Sequence, residues 1–326
     1  MIDTTQIFNI STEKEFESMA LDVFRFQLRN NSVYKEFCHY LDKTESNVKE
    51  LKQIPFLPID FFKSKKVVAT KDQEQIVFSS SGTTGQVTSK HYVTQLKLYE
   101  QSFTKGFDHF YGDVSQYCIL ALLPSYLERN GSSLIYMVND LIEKSNHADS
   151  GFYLNEIDAL VETLTKLDNQ GVKTLLIGVS FALLDVVEEH TLQLNNTVVM
   201  ETGGMKGRRK ELIREELHDV LKKGFGVSEI HSEYGMTELL SQAYSKGNGV
   251  FKTPPWMKIL IRDTEDPLSY LPDGKTGGIN VIDLANINSC SFIATQDLGK
   301  KSKNRSFEIL GRFDHSDIRG CNLMVM

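Results

Sequence analysis

Residues Phe78–Lys90 read Phe-Ser-Ser-Ser-Gly-Thr-Thr-Gly-Gln-Val-Thr-Ser-Lys. They continue the run Gln75-Ile76-Val77-Phe78, which predicts a buried strand. Glycine lets a backbone turn tightly and come close to a ligand. The N–H groups so presented, with the hydroxyls of Ser79, Ser80, Ser81, Thr83 and Thr84, are donors for phosphate oxygens, and Lys90 adds a point charge. Three further stretches carry chemistry. Ser232-Glu233-Tyr234-Gly235-Met236-Thr237-Glu238 offers an aromatic to stack on a base, a glycine for close approach, a hydroxyl and a carboxylate. Ala294-Thr295-Gln296-Asp297-Leu298-Gly299 offers an acid that can accept from ribose hydroxyls, and Gly311-Arg312-Phe313-Asp314 sets a guanidinium beside another acid.

Several other nucleotide signatures are absent. A Walker loop needs Gly-x4-Gly-Lys-Ser/Thr, but five residues after Gly82 stands Val87. No Gly-x-Gly-x-x-Gly follows a strand, and the protein-kinase set is missing. Cys38, Cys118, Cys290 and Cys321 are scattered and form no zinc spacing, so free thiols are expected, the first three as core fillers.

These residues need a scaffold, and the pattern predicts a largely parallel α/β sheet. Thr12 with Glu15 makes a capping box, and Phe16, Met19, Ala20, Val23, Phe24 and Gln27 follow a helical period. A second amphipathic piece holds Val33, Tyr34, Phe37, Tyr40 and Leu41. Two prolines make Ile54–Phe62 extended. A helix over Gln95–Phe110 precedes a strand at Tyr117–Leu123; Asn155 caps a helix closed by Gly171. Strands at Thr174–Ile177 and Thr197–Met200 alternate with helices at Phe181–Glu189 and Lys210–Lys223, the last stopped by Gly224. Its inner face is read as Leu212, Ile213, Leu217, Val220 and Leu221. Ligands bind such sheets at the carboxyl ends of strands, where the opening loop, Gly178, Gly203-Gly204 and Tyr234-Gly235 would converge. Prolines and glycines after Phe251 punctuate short β-like runs such as Lys258–Ile261 and Gly278–Leu284. The expected organisation is a helical segment over 1–53, an α/β core over 54–250, a small β-rich subdomain over 251–310, and a hinge motif with a short tail over 311–326.

The chain has 326 residues, 40% hydrophobic and 24% charged, a globular mix. Lys and Arg number 36 against 43 Asp and Glu, a net charge of −7, which argues against a general nucleic-acid binder. No stretch approaches a membrane span. Met1–Gln6 is neither basic nor followed by an apolar run, so a secretory leader is not expected and the expected location is cytoplasmic.

Together the four stretches resemble the adenylate-forming superfamily of acyl-CoA synthetases, luciferases and peptide-synthetase adenylation domains. Its phosphate loop reads Ser-Ser-Gly-Thr-Thr-Gly-x-x-Lys, its central motif Tyr-Gly-x-Thr-Glu, its ribose motif Thr-Gly-Asp and its hinge Gly-Arg-x-Asp, and counterparts of all four occur here in that order, with Lys90 two residues beyond the loop's lysine position. The resemblance implies the N-terminal domain fold of that superfamily: layered parallel sheets, flanking helices and a small β-rich subdomain. It implies ATP and Mg²⁺ as cofactors. Ser79, Ser80, Ser81, Gly82, Thr83, Thr84 and Gly85 would hold the β- and γ-phosphates, with Lys90 nearby. Thr237 would contact phosphate and Glu238 the metal. Glu233, Tyr234, Gly235 and Met236 would lie at the nucleotide, Tyr234 near adenine, and Gly203 and Gly204 would line the adenine pocket. Asp297 would bind ribose with Arg312 beside it, and Asp314 would be the hinge. Gly178, Val179 and Ser180 are expected near the acyl group.

Two departures stand out. Gln296 replaces the glycine before the ribose acid. The chain ends twelve residues after Asp314, so the usual mobile C-terminal domain, with its catalytic lysine, is expected to be missing; either adenylation is slower or another cation substitutes, with Lys206, Arg208 and Lys258 as the candidates. The ending Gly311–Met326, with Arg319-Gly320-Cys321, resembles the acyl-protein synthetases of the bacterial bioluminescence fatty-acid reductase system, as does Ile54-Pro55-Phe56-Leu57-Pro58-Ile59 with Phe61-Phe62-Lys63. That resemblance implies an acid–thiol ligase making a fatty acyl-AMP, then acylating Cys321, and a partner like an acyl-CoA reductase. A thiolate is the strongest common side-chain nucleophile toward such a mixed anhydride. The alternatives are an acyl-CoA ligase of the phenylacetate-CoA-ligase type and a non-catalytic nucleotide- or acyl-binding homologue.

Overall fold

The computed structural model describes residues 2–80, 87–124, 131–154, 156–203 and 212–313. The chain forms two compact units, Met1–Lys71 with Pro255–Met326, and Asp72–Pro254.

The first unit begins with α1 (Glu13–Asn30) and α2 (Ser32–Tyr40). The Thr12–Glu15 capping box forms: Glu15 accepts from the backbone of Ser11 and Thr12, which lowers its carboxyl to about 2. Phe16, Ala20, Val23 and Phe24 are buried along one stripe of α1. The pair Leu57–Pro58 is strand β1, but Phe61–Ser64 forms a turn of helix, α3, where an extended chain was expected through Phe62. The prolines at 55 and 58 restrict only themselves and the residues before them, so nothing held Phe61 extended.

In the second unit β2 (Ile76–Ser79) and β3 (Lys90–Val93) make an antiparallel pair, followed by α4 (Leu96–Tyr111). Then β4 (Cys118–Leu122), α5 (Ser133–Ser145), β5 (Gly151–Tyr153), α6 (Ile157–Asn169), β6 (Thr174–Val179), α7 (Ser180–Glu189), β7 (Thr197–Thr202), α8 (Arg214–Phe225) and β8 (His231–Tyr234) alternate. The strands pair in parallel in the order β5-β4-β6-β7-β8, and β9 (Ala243–Ser245) and β10 (Val250–Lys252) extend the sheet antiparallel. Every residue of β4 and β6 is buried, as in a parallel strand covered on both faces.

The helix expected to stop at Gly224 runs on to Phe225, and Gly226, at φ +68°, is its left-handed cap. Gly224 sits inside α8 because a Cβ there would come 2.3 Å from Val187 Cβ of α7. Leu212 and Ile213 precede the helix, and Ile213 is 62% exposed and Val220 exposed rather than inward. Asn155, Lys210 and Glu211 lie outside the described residues.

The chain then returns to the first unit as an antiparallel sheet of β11 (Met257–Arg262), β12 (Thr276–Asp283), β13 (Phe292–Lys301) and β14 (Phe307–Arg312), with β1 parallel to β13. Gln27 of α1 donates to the carbonyls of Asn286 and Ile287, locking the N-terminal helix onto this sheet's connection. Cys38, Cys118 and Cys290 are buried free thiols, as expected of core fillers. Among the described residues, no helix is long and apolar enough to cross a membrane.

Candidate active site

Register lines up the carboxyl ends of three parallel strands. Gly178 of β6 stands beside Glu201 of β7, and Glu201 beside Ser232 of β8; one step on, Val179, Thr202 and Glu233 align. Ser180, Gly203 and Gly235 therefore follow the three strands at one end of the sheet, as the strand–loop–helix pattern required. The Ser180 hydroxyl points to the Gly203 carbonyl at 3.0 Å and to Glu201 Oε2 at 3.3 Å. Gly178, Val179 and Ser180 are buried here, and Gly204 lies outside the described residues.

The central motif continues from β8. Thr237 and Glu238 are the middle residues of a turn closed by Leu239 N–H donating to the Met236 carbonyl at 3.1 Å. Glu238 is 5% exposed, so it is a buried turn carboxylate and not a solvated helix-start one. The Tyr234 ring lies 6.2 Å from that of Phe251. A Cβ at Gly235 would come 2.4 Å from Glu233 Oε1, so a larger residue there would displace the Glu233 carboxylate.

Glu233 itself accepts from the Thr202 hydroxyl at 2.5 Å. Burial pushes its carboxyl up to about 7, aided by Glu201 and opposed by the Thr202 bond. Burial raises the hydroxyls of Tyr99, Tyr111 and Tyr244; the same carboxylate adds to it as the next cause at Tyr99 and Tyr244, and after Tyr117 at Tyr111. A carboxyl that holds its proton more tightly when folded stabilises the fold below its ordinary value of 4.5 and loses that contribution as pH rises to about 7. Glu233→Gln is therefore expected to gain thermal stability relative to the unsubstituted protein across pH 4.5 to 7, measured as the difference in Tm; a pH-independent difference would contradict it.

The β2–β3 pair carries the flanks of the first motif. Phe78 pairs with His91 and Ser79 with Lys90. Ser79 N–H donates to the Gly131 carbonyl at 2.8 Å, Ser80 N–H to the Ser89 carbonyl at 3.1 Å, and Ser89 N–H to the Ser80 hydroxyl at 2.9 Å. Lys90 is exposed; Ser81, Gly82, Thr83, Thr84 and Gly85 lie outside the described residues. The inward neighbour His91 has its Nδ1 2.8 Å from the Thr237 carbonyl. This contact joins the hairpin of the first motif to the turn of the second across 146 residues of chain.

Asp297 and Arg312 belong to the other unit. They face each other across β13 and β14, with Arg312 Nε donating to Asp297 Oδ1 at 3.0 Å, the acid buried and the arginine side chain 58% exposed. Asp297 N–H donates to the Thr295 hydroxyl, and the buried Arg262 guanidinium donates to the Thr295 carbonyl at 2.6 Å and to Asn280 Oδ1 at 2.9 Å. Gln296, the departure from the motif, donates to Asp60 Oδ2 at 2.7 Å. Lys258 ion-pairs with Glu13 and lies 4.9 Å over the Phe16 ring, so it is committed within its own unit and loses its case as the substitute cation. Lys206, Arg208, Asp314 and Cys321 lie outside the described residues.

Among the described residues no group of three or more His, Cys, Asp or Glu side chains is placed to hold a metal. Magnesium needs no such cage: it commonly takes one or two carboxylates and completes its shell with phosphates and water. A single buried carboxylate at Glu238 fits that donor set.

A protein-family model described as "Acyl-protein synthetase, LuxE" matches residues 4–326. The chain is 23% identical over 348 residues to a long-chain-fatty-acid–luciferin-component ligase of Vibrio harveyi, covering 98% of this chain and 90% of that protein. It is 31% identical over 74 residues to the Photorhabdus luminescens ligase of the same name, 22% of this chain and 63% of the relative. Its fold is similar to that of 2-hydroxyisobutyryl-CoA ligase in complex with 2-HIB-AMP and CoA, at a TM-score of 0.67, 11% identity, and 93% and 70% coverage of the two chains. ATP-bound MatB from Rhodopseudomonas palustris superposes at a TM-score of 0.56 and 17% identity, over 74% of this chain and 49% of MatB. The two solved structures bear out the adenylate-forming fold.

Proposed function

Since the chain belongs to the LuxE acyl-protein synthetase family, and is thereby a ligase that activates an acyl group with ATP, we propose that it converts a long-chain fatty acid to its acyl-AMP and passes the acyl group to Cys321. The observation that carries the site assignment is the His91–Thr237 hydrogen bond, which sets the Ser79–Lys90 hairpin against the Thr237–Glu238 turn at the carboxyl end of β8.

In this reading Ser79, Ser80 and Lys90 flank the phosphate loop, and the backbone and hydroxyls of Ser81–Gly85 take the β- and γ-phosphates. Thr237 reaches phosphate, and Glu238 holds Mg²⁺. The ion supplies positive charge to the phosphate oxygens. Tyr234, Gly235, Met236, Gly203 and Gly204 form the adenine side, with Glu233 fixed beside them. Asp297, with Arg312, takes the ribose hydroxyls. A carboxylate oxygen of the acid attacks the α-phosphorus in line, the bond to the β-phosphate oxygen breaks, and pyrophosphate leaves. The Cys321 thiol, having lost its proton, then attacks the acyl carbon. The carbon–oxygen bond to phosphate breaks, AMP leaves, and a thioester remains. The acyl group is handed from there to a reductase partner.

Acid-dependent exchange of labelled pyrophosphate into ATP, run with acids from acetate to long-chain fatty acids, tests the assignment. Exchange that strengthens with chain length is expected. No exchange with any acid, despite nucleotide binding, would leave a non-catalytic nucleotide-binding homologue.

A further inference from the structure

We propose that His91 is a positioning residue for the activation reaction: it sets the Thr237–Glu238 turn against the phosphate-loop hairpin without touching the reactants. The proposal rests on the site reading above.

Three observations carry it. First, His91 is 1% exposed, and its strand alternates so that His91 and Val93 turn inward while Lys90 turns out. A histidine on an inward strand face needs a polar partner, and Thr237 supplies one. Second, the partner atom is a backbone carbonyl, which can only accept. Nδ1 therefore carries the proton and donates at 2.8 Å. With that nitrogen committed as a donor, it cannot serve as a base there. Third, the bond falls on a turn of only two central residues. Fixing the Thr237 carbonyl fixes the peptide plane between Thr237 and Glu238, and with it the direction in which the Glu238 side chain leaves the backbone. His91 is also the cross-strand partner of Phe78, one step before Ser79, so the same residue fixes where the phosphate-loop flank begins. One side chain thus ties the β2–β3 pair that flanks the phosphate-loop motif to the turn that carries the carboxylate proposed for the metal.

Groups that orient a metal-binding carboxylate typically change metal affinity or activity by about 10–100-fold when removed. The comparison uses the full chain and two substitutions. His91→Leu fills the volume without a donor. His91→Asn places an amide N–H close to where Nδ1 stood. The first readout is hydrogen–deuterium exchange of the Leu239 amide, whose bond to Met236 closes the turn. The second is pyrophosphate exchange as a function of Mg²⁺ and ATP.

His91→Leu is expected to speed Leu239 amide exchange about tenfold or more and to raise the Mg²⁺ concentration for half-maximal activity by about 10–100-fold, with the KM for the acid unchanged. His91→Asn is expected to restore most of both. Leu and Asn variants impaired alike, or a Leu variant with an unchanged turn and unchanged Mg²⁺ dependence, would overturn the proposal. If the Leu variant does not fold, His91→Gln takes its place: its amide stands one carbon farther out, so it should lose the protection that Asn keeps, and equal protection in the two overturns the assignment. If the unsubstituted protein shows no exchange with any acid, the functional reading fails, and the amide measurement still decides whether His91 holds the turn.

Discussion

Glu238→Gln is expected to lower acid-dependent ATP–pyrophosphate exchange by about 10²–10³-fold, because it weakens the hold on the Mg²⁺ that would offset the phosphate charge, and losing one fixed stabiliser of such charge costs about that much. The substitution keeps the shape of the side chain and removes its charge. Glu238 is buried in the turn between β8 and β9 that the Leu239–Met236 hydrogen bond closes. The defect should appear mainly in Mg²⁺ dependence, and raising Mg²⁺ should recover part of the rate. A Gln variant with unchanged exchange would remove Glu238 from the metal site and with it the strongest assignment in the second unit.

Cys321→Ser is expected to abolish the hydroxylamine-labile acyl-enzyme while leaving pyrophosphate exchange intact. Exchange needs only the adenylation half of the reaction, whereas the thioester needs a thiolate. Serine has nearly the same size, but its hydroxyl stays protonated at neutral pH and is a far weaker nucleophile. The measurement is the intact mass of the protein after incubation with ATP and a fatty acid, with and without hydroxylamine. If the serine variant still makes acyl-CoA as fast as the unsubstituted protein, the acceptor is CoA, as in the acyl-CoA ligase alternative. Arg319 and Gly320 precede the cysteine in sequence, and a guanidinium nearby favours the thiolate.

Much of this scaffold is legible from local pattern. The Thr12–Glu15 capping box, the continuous apolar runs of β4 and β6, and the strand–glycine–helix alternation all form as their periodicity dictates. The edge formed by Gly178–Ser180, Gly203 and Tyr234-Gly235 follows from parallel topology alone, because each stretch ends a strand. What is not legible depends on distant neighbours. Gly224 reads as a helix stop, yet its missing Cβ serves the approach of Val187 on another helix, and only Gly226 turns left-handed. Leu212 and Ile213 have the residue types of an inner helix face but stand ahead of the helix. His91 looks like an ordinary polar residue in a short strand; its partner lies 146 residues away, and no local signal announces it. The same holds for Gln27, which bonds carbonyls 259 and 260 residues downstream, and for Thr202, whose tie to Glu233 depends on strand register. Gln296 departs from the family motif, and the structure gives it a use in its bond to Asp60.

The most direct test of carboxyl activation follows oxygen atoms. A fatty acid carrying ¹⁸O in both carboxyl oxygens is incubated with ATP, Mg²⁺ and the protein, with hydroxylamine to trap the acyl group. Attack of a carboxylate oxygen on the α-phosphorus puts one labelled oxygen into AMP and none into pyrophosphate, and AMP keeps it when the acyl group leaves. Label in AMP is the result this account requires. Label in orthophosphate with release of ADP, or AMP formed without label, would mean that the acid is not activated by adenylation and would contradict it.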